Sequence, residues 1–271
     1  MKIDGKAIAQ DILQKLAQKT QDYKQKGIEP HLVIILVGDD PASAAYVRQK
    51  ELKTSLVGIK TTILRLPAET EQQELLKRIG QFNNDKNVHG IIVQLPVPKH
   101  LDGKEIILAV KPEKDVDGFH ANSPFLMPLG LAILEILKRV QHQTNEKNMD
   151  FKQWLKNQNI AVMGKGETGG KPVTQVLKLW EANPTVIDSK TVNPEELTKK
   201  ADIIISAIGK PNMLKPKMIN QNAILVSIGI HRGADGKLHG DYDEEKVKNI
   251  ASFYTPTPGG VGPVNVAMLL E

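Results

Sequence analysis

The spacing of apolar residues predicts a surface helix at the start of the chain and a buried strand after it. Four apolar residues recur at the spacing of one helix face: Ala9, Ile12, Leu13 and Leu16. Asp4 precedes them and is placed to cap the helix. Residues 32–37 then form a continuous, largely β-branched apolar run. Such a run is typical of a strand that is buried on both faces of a parallel sheet.

Strand and helix patterns alternate through the rest of the first half. A second helix is predicted after Pro41. Further strands are predicted at 61–66 and 88–93, and further helices at 69–82, about 104–109 and 131–140. This alternation is typical of an open α/β domain.

A polar stretch at 141–159 predicts a domain boundary, and strand and helix patterns resume after it. The predicted strands are 160–163, 185–187, 202–207 and 223–228, with a helix at 171–180. The expected fold class is α/β, with two open α/β lobes that flank a cleft, the second being a Rossmann-type dinucleotide-binding domain. We expect residues 1–140 and 255–271 to form the first domain and residues 141–254 to form the second.

The composition narrows the possible chemistry. None of the 271 residues is a cysteine, which excludes disulfides, a thiol nucleophile and Cys-based zinc sites. No H-E-x-x-H or comparable cluster predicts another metal site. The net charge of +5 suits an anionic small molecule, or it reflects a solvated basic surface.

Nucleic acid and membrane partners are not expected. Aromatic residues are scarce and the lysines are dispersed, which argues against a nucleic-acid surface. No apolar run is long enough to cross a bilayer, and the opening letters M-K-I-D form no signal-peptide pattern. We therefore expect a cytoplasmic protein.

A glycine-rich loop follows the predicted strand 160–163 and leads into a helix, in a β-α-β unit of the length that dinucleotide sites use. Its glycines permit a tight turn, close approach of the backbone to a pyrophosphate, and close helix packing, while the helix N-terminus offers free amides. A plain glycine turn is the alternative. The residues predicted to bind the cofactor here are Gly164, Lys165, Gly166, Glu167, Thr168 and Gly169.

The end of the next strand bears on the choice between NAD and NADP. Asp188 lies 24 positions after Gly164, close to where an acidic side chain binds ribose hydroxyls in NAD sites. Its charge would repel a 2'-phosphate, whereas Lys165 and Ser189 could bind one. The sequence thus predicts NAD or NADP as cofactor and favours NAD. An ordinary strand-end aspartate is the alternative.

Candidate reacting groups lie in the first domain. Tyr46 and Lys50 share one face of a predicted helix, and a lysine that is partly buried can move protons near neutral pH. Gln94 follows a buried strand, at the edge of the sheet where open α/β proteins bind ligands. Asp115 and Asp117 stand two apart before a glycine, where a carboxylate could form paired hydrogen bonds to ring N–H groups. The alternatives are a solvated lysine, a loop glutamine and an Asx-type turn.

Taken in order, these segments resemble the bifunctional methylenetetrahydrofolate dehydrogenase/methenyltetrahydrofolate cyclohydrolase family. The likeness covers nearly the whole chain. It rests on Y-x-x-x-K at 46–50, Q-L-P-x-P at 94–98, K-D-V-D-G-F at 114–119, the glycine loop, G-D at 240–241 and the tail P-T-P-G-G-V-G-P at 256–263. The resemblance implies NAD(P)-dependent oxidation of 5,10-methylenetetrahydrofolate to the 5,10-methenyl form, followed by hydrolysis to 10-formyltetrahydrofolate.

The resemblance also implies roles for individual residues. Lys50 would be the catalytic lysine, Gln94 would position it, Tyr46 would orient the aminobenzoyl group, and Asp117 would anchor the pterin. The substrate and nicotinamide cleft would be lined by Pro258, Gly259, Gly260 and Val261, and Ile230 would join the cofactor-binding residues. A homodimer formed through the cofactor domain is implied as well.

Several positions differ from the family pattern. The segment Met127-Pro128-Leu129-Gly130 stands where Pro-Cys-Thr-Pro is usual, Lys165-Gly166 replaces Arg-Ser, and Asp188 replaces His. Two alternatives therefore stay open. One is a dehydrogenase with weak cyclohydrolase activity, and the other is a folate- or nucleotide-binding relative without turnover.

Overall fold

The structure, a computed structural model, describes residues 1–271. The chain forms two compact units. One comprises Gln10–Pro128 and Leu269–Glu271, and is called here the three-strand unit. The other comprises Met1–Ala9 and Leu129–Met268, and is called the five-strand unit. The prediction of an α/β protein with two domains is confirmed.

The three-strand unit is built from a parallel sheet in the order β2-β1-β3. The chain runs through α1 (Gly5–Gln25), β1 (His31–Val37), α2 (Pro41–Leu56), β2 (Lys60–Leu66), α3 (Gln72–Asn84), β3 (Gly90–Val93) and α4 (Gly103–Ala109). The first five residues of α1 belong to the five-strand unit. All seven residues of the central strand β1 are buried, as its continuous apolar run predicts. Asp4 caps α1, because its carboxylate accepts hydrogen bonds from the amides of Lys6 and Ala7 at 3.0 Å each.

The five-strand unit contains a parallel sheet in the order β10-β7-β6-β4-β5. Its strands are β4 (Ile160–Met163), β5 (Thr185–Ile187), β6 (Ile203–Ser206), β7 (Ile224–Ser227) and β10 (Phe253–Tyr254). A hairpin of β8 (His231–Arg232) and β9 (Leu238–His239) follows β7. Its helices are α5 (Pro128–Gln141), α6 (Phe151–Lys156), α7 (Gly170–Leu179), α8 (Pro194–Lys199), α9 (Glu244–Val247) and α10 (Val261–Leu270).

The polar stretch 141–159, interpreted from sequence as a boundary, contains the short helix α6. Asp150 caps this helix, and its Trp154 and Leu155 are buried. Near the middle of the chain, the boundary between the compact units lies between residues 128 and 129. The predicted boundary lies between residues 140 and 141, and the prediction places residues 255–271 in the first domain. That assignment of domains stays a prediction. None of the helices has the length and hydropathy that crossing a membrane requires.

Candidate functional site

Lys50 and Gln94 form a direct contact in the three-strand unit. Lys50 lies on α2, whose start is fixed by Asp40, the carboxylate of which accepts a hydrogen bond from the Ser43 amide at 2.7 Å. Gln94 directly follows β3, and its backbone amide donates to the backbone carbonyl of Ile35 at 2.9 Å. Lys50 Nζ donates to Gln94 Oε1 at 3.1 Å. The fold thus brings together two candidates that are 44 positions apart in the chain.

The orientation of the Gln94 amide group is also set by a hydrogen bond. Its Nε2 donates to the carbonyl of Leu95 at 2.8 Å. Since the amide nitrogen is occupied there, the oxygen is the atom that faces Lys50. The lysine is half-buried, which differs from the solvated lysine that spacing alone left open.

Asp117 lies within electrostatic range of the same lysine. Burial raises the pKa of the Asp117 carboxyl, and the positive charge of Lys50 acts in the opposite direction. A half-buried carboxylate close to a lysine is suited to bind a group that carries several N–H donors. The sequence-predicted residues Lys50, Gln94 and Asp117 therefore lie in one region of the unit.

The other aspartate of the pair has a different environment. Asp115 is 4% exposed, and its Oδ2 accepts a hydrogen bond from the His120 amide at 2.6 Å. Burial raises the pKa of its carboxyl, and the backbone amide of His120 opposes that effect. This bond spans five positions from a buried carboxylate, so Asp115 does not form the Asx-type turn, which bonds two residues ahead. Tyr46, one helical turn before Lys50, is 46% exposed.

The predicted glycine loop lies in the five-strand unit, between β4 and α7. Gly164 has φ +99°, and a Cβ there would lie 2.6 Å from the carbonyl oxygen of Ala207. Gly166 has open space around it, as close approach of a ligand requires. A Cβ on Gly170 would overlap the Gly164 carbonyl group, so the closest packing is one position after Gly169. The amides at the start of α7 follow the loop directly.

Lys165 and Asp188, which the sequence predicts to have opposite effects on a 2'-phosphate, form an ion pair. Lys165 Nζ lies 2.6 Å from Asp188 Oδ2. Asp188 also accepts a hydrogen bond from the Lys190 amide at 2.9 Å. These contacts, with Lys165 foremost, lower the pKa of Asp188 to about 2. Ser189 is exposed beside the pair.

The remaining candidates lie at other points of the five-strand unit. Glu167 pairs with Lys171 on the first turn of α7, and Thr168 is exposed. Ile230 follows β7 and is 39% exposed. The tail segment with Pro258, Gly259, Gly260 and Val261 runs into α10, and a Cβ on Gly5 would overlap the backbone of Gly260. The roles of all these residues stay predictions.

Asp241 is a buried residue in the G-D motif at 240–241, and its sequence context predicts no role for it. Its carboxylate receives hydrogen bonds from the loop that follows β6. Burial of an aspartate after a hairpin gives no periodic signal in the sequence. No group of three or more His, Cys, Asp or Glu side chains is arranged to hold a metal ion.

Comparison with known families covers both units. The profile described as "Tetrahydrofolate dehydrogenase/cyclohydrolase, catalytic domain" matches residues 3–117. The profile described as "Tetrahydrofolate dehydrogenase/cyclohydrolase, NAD(P)-binding domain" matches residues 131–271.

Individual proteins match over nearly the whole chain. The "Bifunctional protein FolD" of Lactococcus lactis subsp. cremoris is 41% identical over 278 residues, covering 99% of this chain and 94% of that protein. The crystal structure of the bifunctional FolD enzyme from Campylobacter jejuni is 38% identical, with a TM-score of 0.93, covering 100% of this chain and 95% of that one. The Trypanosoma brucei enzyme, solved with NADP and an inhibitor, is 28% identical with a TM-score of 0.89, covering 100% and 94%.

Proposed function

The chain belongs to the tetrahydrofolate dehydrogenase/cyclohydrolase family, and from that membership we propose how its residues perform the two reactions. The enzyme oxidises 5,10-methylenetetrahydrofolate to 5,10-methenyltetrahydrofolate with a nicotinamide dinucleotide. It then hydrolyses the methenyl product to 10-formyltetrahydrofolate. Tetrahydrofolate is therefore the carrier of the one-carbon unit.

The hydrogen bond between Lys50 and Gln94 is the observation that carries the assignment of roles. Oxidation leaves a cation that the two neighbouring folate nitrogens stabilise, so this step needs orientation more than a strong base. Hydrolysis needs a group that moves protons while water adds to the methenyl carbon and a C–N bond breaks. Lys50 performs that transfer, Gln94 holds its Nζ in place, and Asp117 anchors the pterin.

Tyr46 completes the folate site in this proposal. It lies on the same helix as Lys50 and leaves almost half of its surface exposed, so its ring is free to pack on the aminobenzoyl group. Asp115 acts on the substrate only indirectly, because its carboxylate is used by the His120 amide. Pro258 to Val261 form the part of the five-strand unit that we assign to the substrate.

The residues of the glycine loop fit a dinucleotide. The open space at Gly166 and the amides that begin α7 are suited to the pyrophosphate, and we assign Lys165, which is paired with Asp188, to the same site. When bound, the nicotinamide ring accepts the hydride. The other residues that we assign to the cofactor are Gly164, Glu167, Thr168, Gly169, Asp188, Ser189 and Ile230.

We propose that NAD is preferred over NADP. Asp188 is ionised at neutral pH and can accept hydrogen bonds from ribose hydroxyls. Lys165, one of the two residues that the sequence offers for a 2'-phosphate, is already paired with Asp188. A 2'-phosphate would have to compete for Lys165 and would face a carboxylate of like charge.

The cofactor proposal is tested by measuring kcat/KM with NAD and with NADP at equal concentrations. Asp188→Asn removes the charge and frees Lys165, so kcat/KM with NADP should rise relative to NAD. Asp22→Asn, at an exposed position on α1, is the matched control and should leave the ratio unchanged. A wild-type preference for NADP, or no change in Asp188→Asn, would contradict the proposal.

The bifunctional activity is tested by following the methenyl compound itself. Wild-type enzyme should form methenyltetrahydrofolate and then remove it faster than it decays in buffer. Persistent methenyl product would identify a dehydrogenase with weak cyclohydrolase activity. Folate binding without reduction of the dinucleotide would identify a non-catalytic relative.

We also propose a homodimer formed through the five-strand unit, in the cytoplasm, where 10-formyltetrahydrofolate supports purine biosynthesis. The edge strand β5 supports the dimer, since its Val186 is 39% exposed and the nearby Val192 is 81% exposed. Light scattering should give twice the chain mass, and Val186→Glu should lower it. A wild-type monomer would contradict this part of the proposal.

A further inference from the structure

A buried carboxylate organises the loop that follows β6 in the five-strand unit. Asp241 is 0% exposed. Its Oδ2 accepts hydrogen bonds from the Ser206 hydroxyl at 2.6 Å and the Ile208 amide at 2.9 Å. Its Oδ1 accepts from the amides of Gly209 at 2.7 Å and Lys210 at 3.0 Å. All four bonds come from one short segment, residues 206–210.

Three successive amides that converge on one point form a concave site for an anion. Here the anion is the protein's own carboxylate, so these amides are unavailable to a cofactor phosphate. Gly209 has φ +74°, a conformation that this arrangement requires and that glycine adopts without strain. The carboxylate therefore determines the path of the loop without needing to touch a ligand.

The same loop packs against both segments that we assign to the cofactor. A Cβ on Gly164 would lie 2.6 Å from the Ala207 oxygen, and a Cβ on Gly169 would lie 3.3 Å from Ala207 Cβ. On the other side, a Cβ on Gly209 would lie 3.4 Å from the carbonyl oxygen of Ile230. A shift of the loop would consequently move the glycine loop and the segment after β7 together.

We infer that Asp241 is a positioning residue for the dinucleotide site. It holds residues 207–210 in place, and these residues in turn support the glycine loop and Ile230. The inference rests on the proposed function, because it assigns the glycine loop to a dinucleotide. It adds that the loss of Asp241 impairs dinucleotide use and spares hydrolysis of methenyltetrahydrofolate, which consumes only water.

The experiment compares Asp241→Asn with Asp243→Asn. The asparagine amide group turns N–H donors toward backbone donors, so part of the loop loses its acceptor. Asp243, two positions further along, caps α9 and pairs with Lys246. The KM for the dinucleotide, the kcat of the dehydrogenase and the cyclohydrolase rate are measured for each variant.

We expect Asp241→Asn to raise the dinucleotide KM about tenfold or more and to leave the cyclohydrolase rate within about twofold of wild type. Asp243→Asn should change neither. An unchanged dinucleotide KM in folded Asp241→Asn overturns the inference. So does an equal loss of both activities in a variant whose thermal unfolding matches wild type.

Ser206→Ala keeps the test decisive if Asp241→Asn does not fold. It removes one donor and leaves the carboxylate in place, so a rise of a few-fold in dinucleotide KM supports the inference and no change overturns it. Direct binding of NAD and NADP separates this inference from the proposed function. If wild type binds a dinucleotide without turnover, the proposed function fails, and weaker binding by Asp241→Asn still supports the positioning role.

Discussion

Replacing Lys50 with methionine should separate the two reactions of the enzyme. Methionine keeps an unbranched side chain of similar length, so the packing of α2 changes little. It removes the Nζ that donates to Gln94 Oε1 at 3.1 Å, which is the group that we propose transfers protons during hydrolysis. It also removes the positive charge that lowers the pKa of Asp117.

The size of the effect follows from what each step uses. Proton transfer by a positioned side chain contributes about 10²–10⁴ to a rate, which is roughly 3–5 kcal/mol of transition-state stabilisation. The cyclohydrolase kcat should fall by that factor. Under the proposed roles, hydride transfer uses Lys50 for orientation only, so the dehydrogenase kcat should fall about tenfold. Because the Asp117 carboxyl becomes harder to ionise, the KM for the folate should rise in both reactions by the same factor.

The two reactions are measured separately on the same preparation. Reduced dinucleotide formed from methylenetetrahydrofolate reports the dehydrogenase. Decay of added methenyltetrahydrofolate, corrected for its decay in buffer, reports the cyclohydrolase. Lys19→Met, an exposed position on α1 in the same unit, is the control and should match wild type. Equal losses in the two reactions, or no loss, would refute the role of Lys50.

Three further predictions concern packing and protonation. Gly5→Ala should lower the free energy of unfolding by about 1–3 kcal/mol in a urea titration, because the added Cβ overlaps the backbone of Gly260. Gly80→Ala, at a position on α3 with open space around it, should raise the free energy of unfolding by about 0.5–1 kcal/mol in the same titration. Burial, aided by the charge of Lys60, lowers the pKa of His31, so folding stability should be lost as the pH falls below about 6.5. The His31→Gln variant should lose less stability over the same pH range, and a loss equal to that of wild type would contradict this prediction. Burial raises the pKa of Asp117, so its charge is lost at a higher pH than in an exposed aspartate. The folate KM should therefore rise on acidification. The Asp117→Asn variant should unfold at a higher temperature than wild type, because it removes a carboxylate whose charge is poorly solvated; a lower unfolding temperature would contradict this.

Elements with a strong local signal were predicted from sequence. The run 32–37 became the central strand β1, and strands 160–163 and 185–187 were predicted at their observed bounds. Helix α6 was missed, because six residues with two buried side chains do not establish a helical period. Strand β10 is not predicted either, because it has only two residues and pairs with partners far from it in sequence, namely β7 and, through a single bridge, Lys2.

The sequence by itself determined the family and the α/β class, and it named the candidate residues to which we assign the chemistry. The tertiary structure decided how those residues are paired. Lys165 and Asp188 were considered separately as possible phosphate and ribose ligands, and the fold joins them in one ion pair. No role for Asp241 is predicted from the sequence, because the loop amides that its carboxylate binds lie more than 30 positions earlier in the chain. The physical reason is that a local pattern reports which face of an element is apolar, whereas desolvation, ion pairing and hydrogen bonding of a side chain depend on groups that only the folded chain brings within a few ångströms.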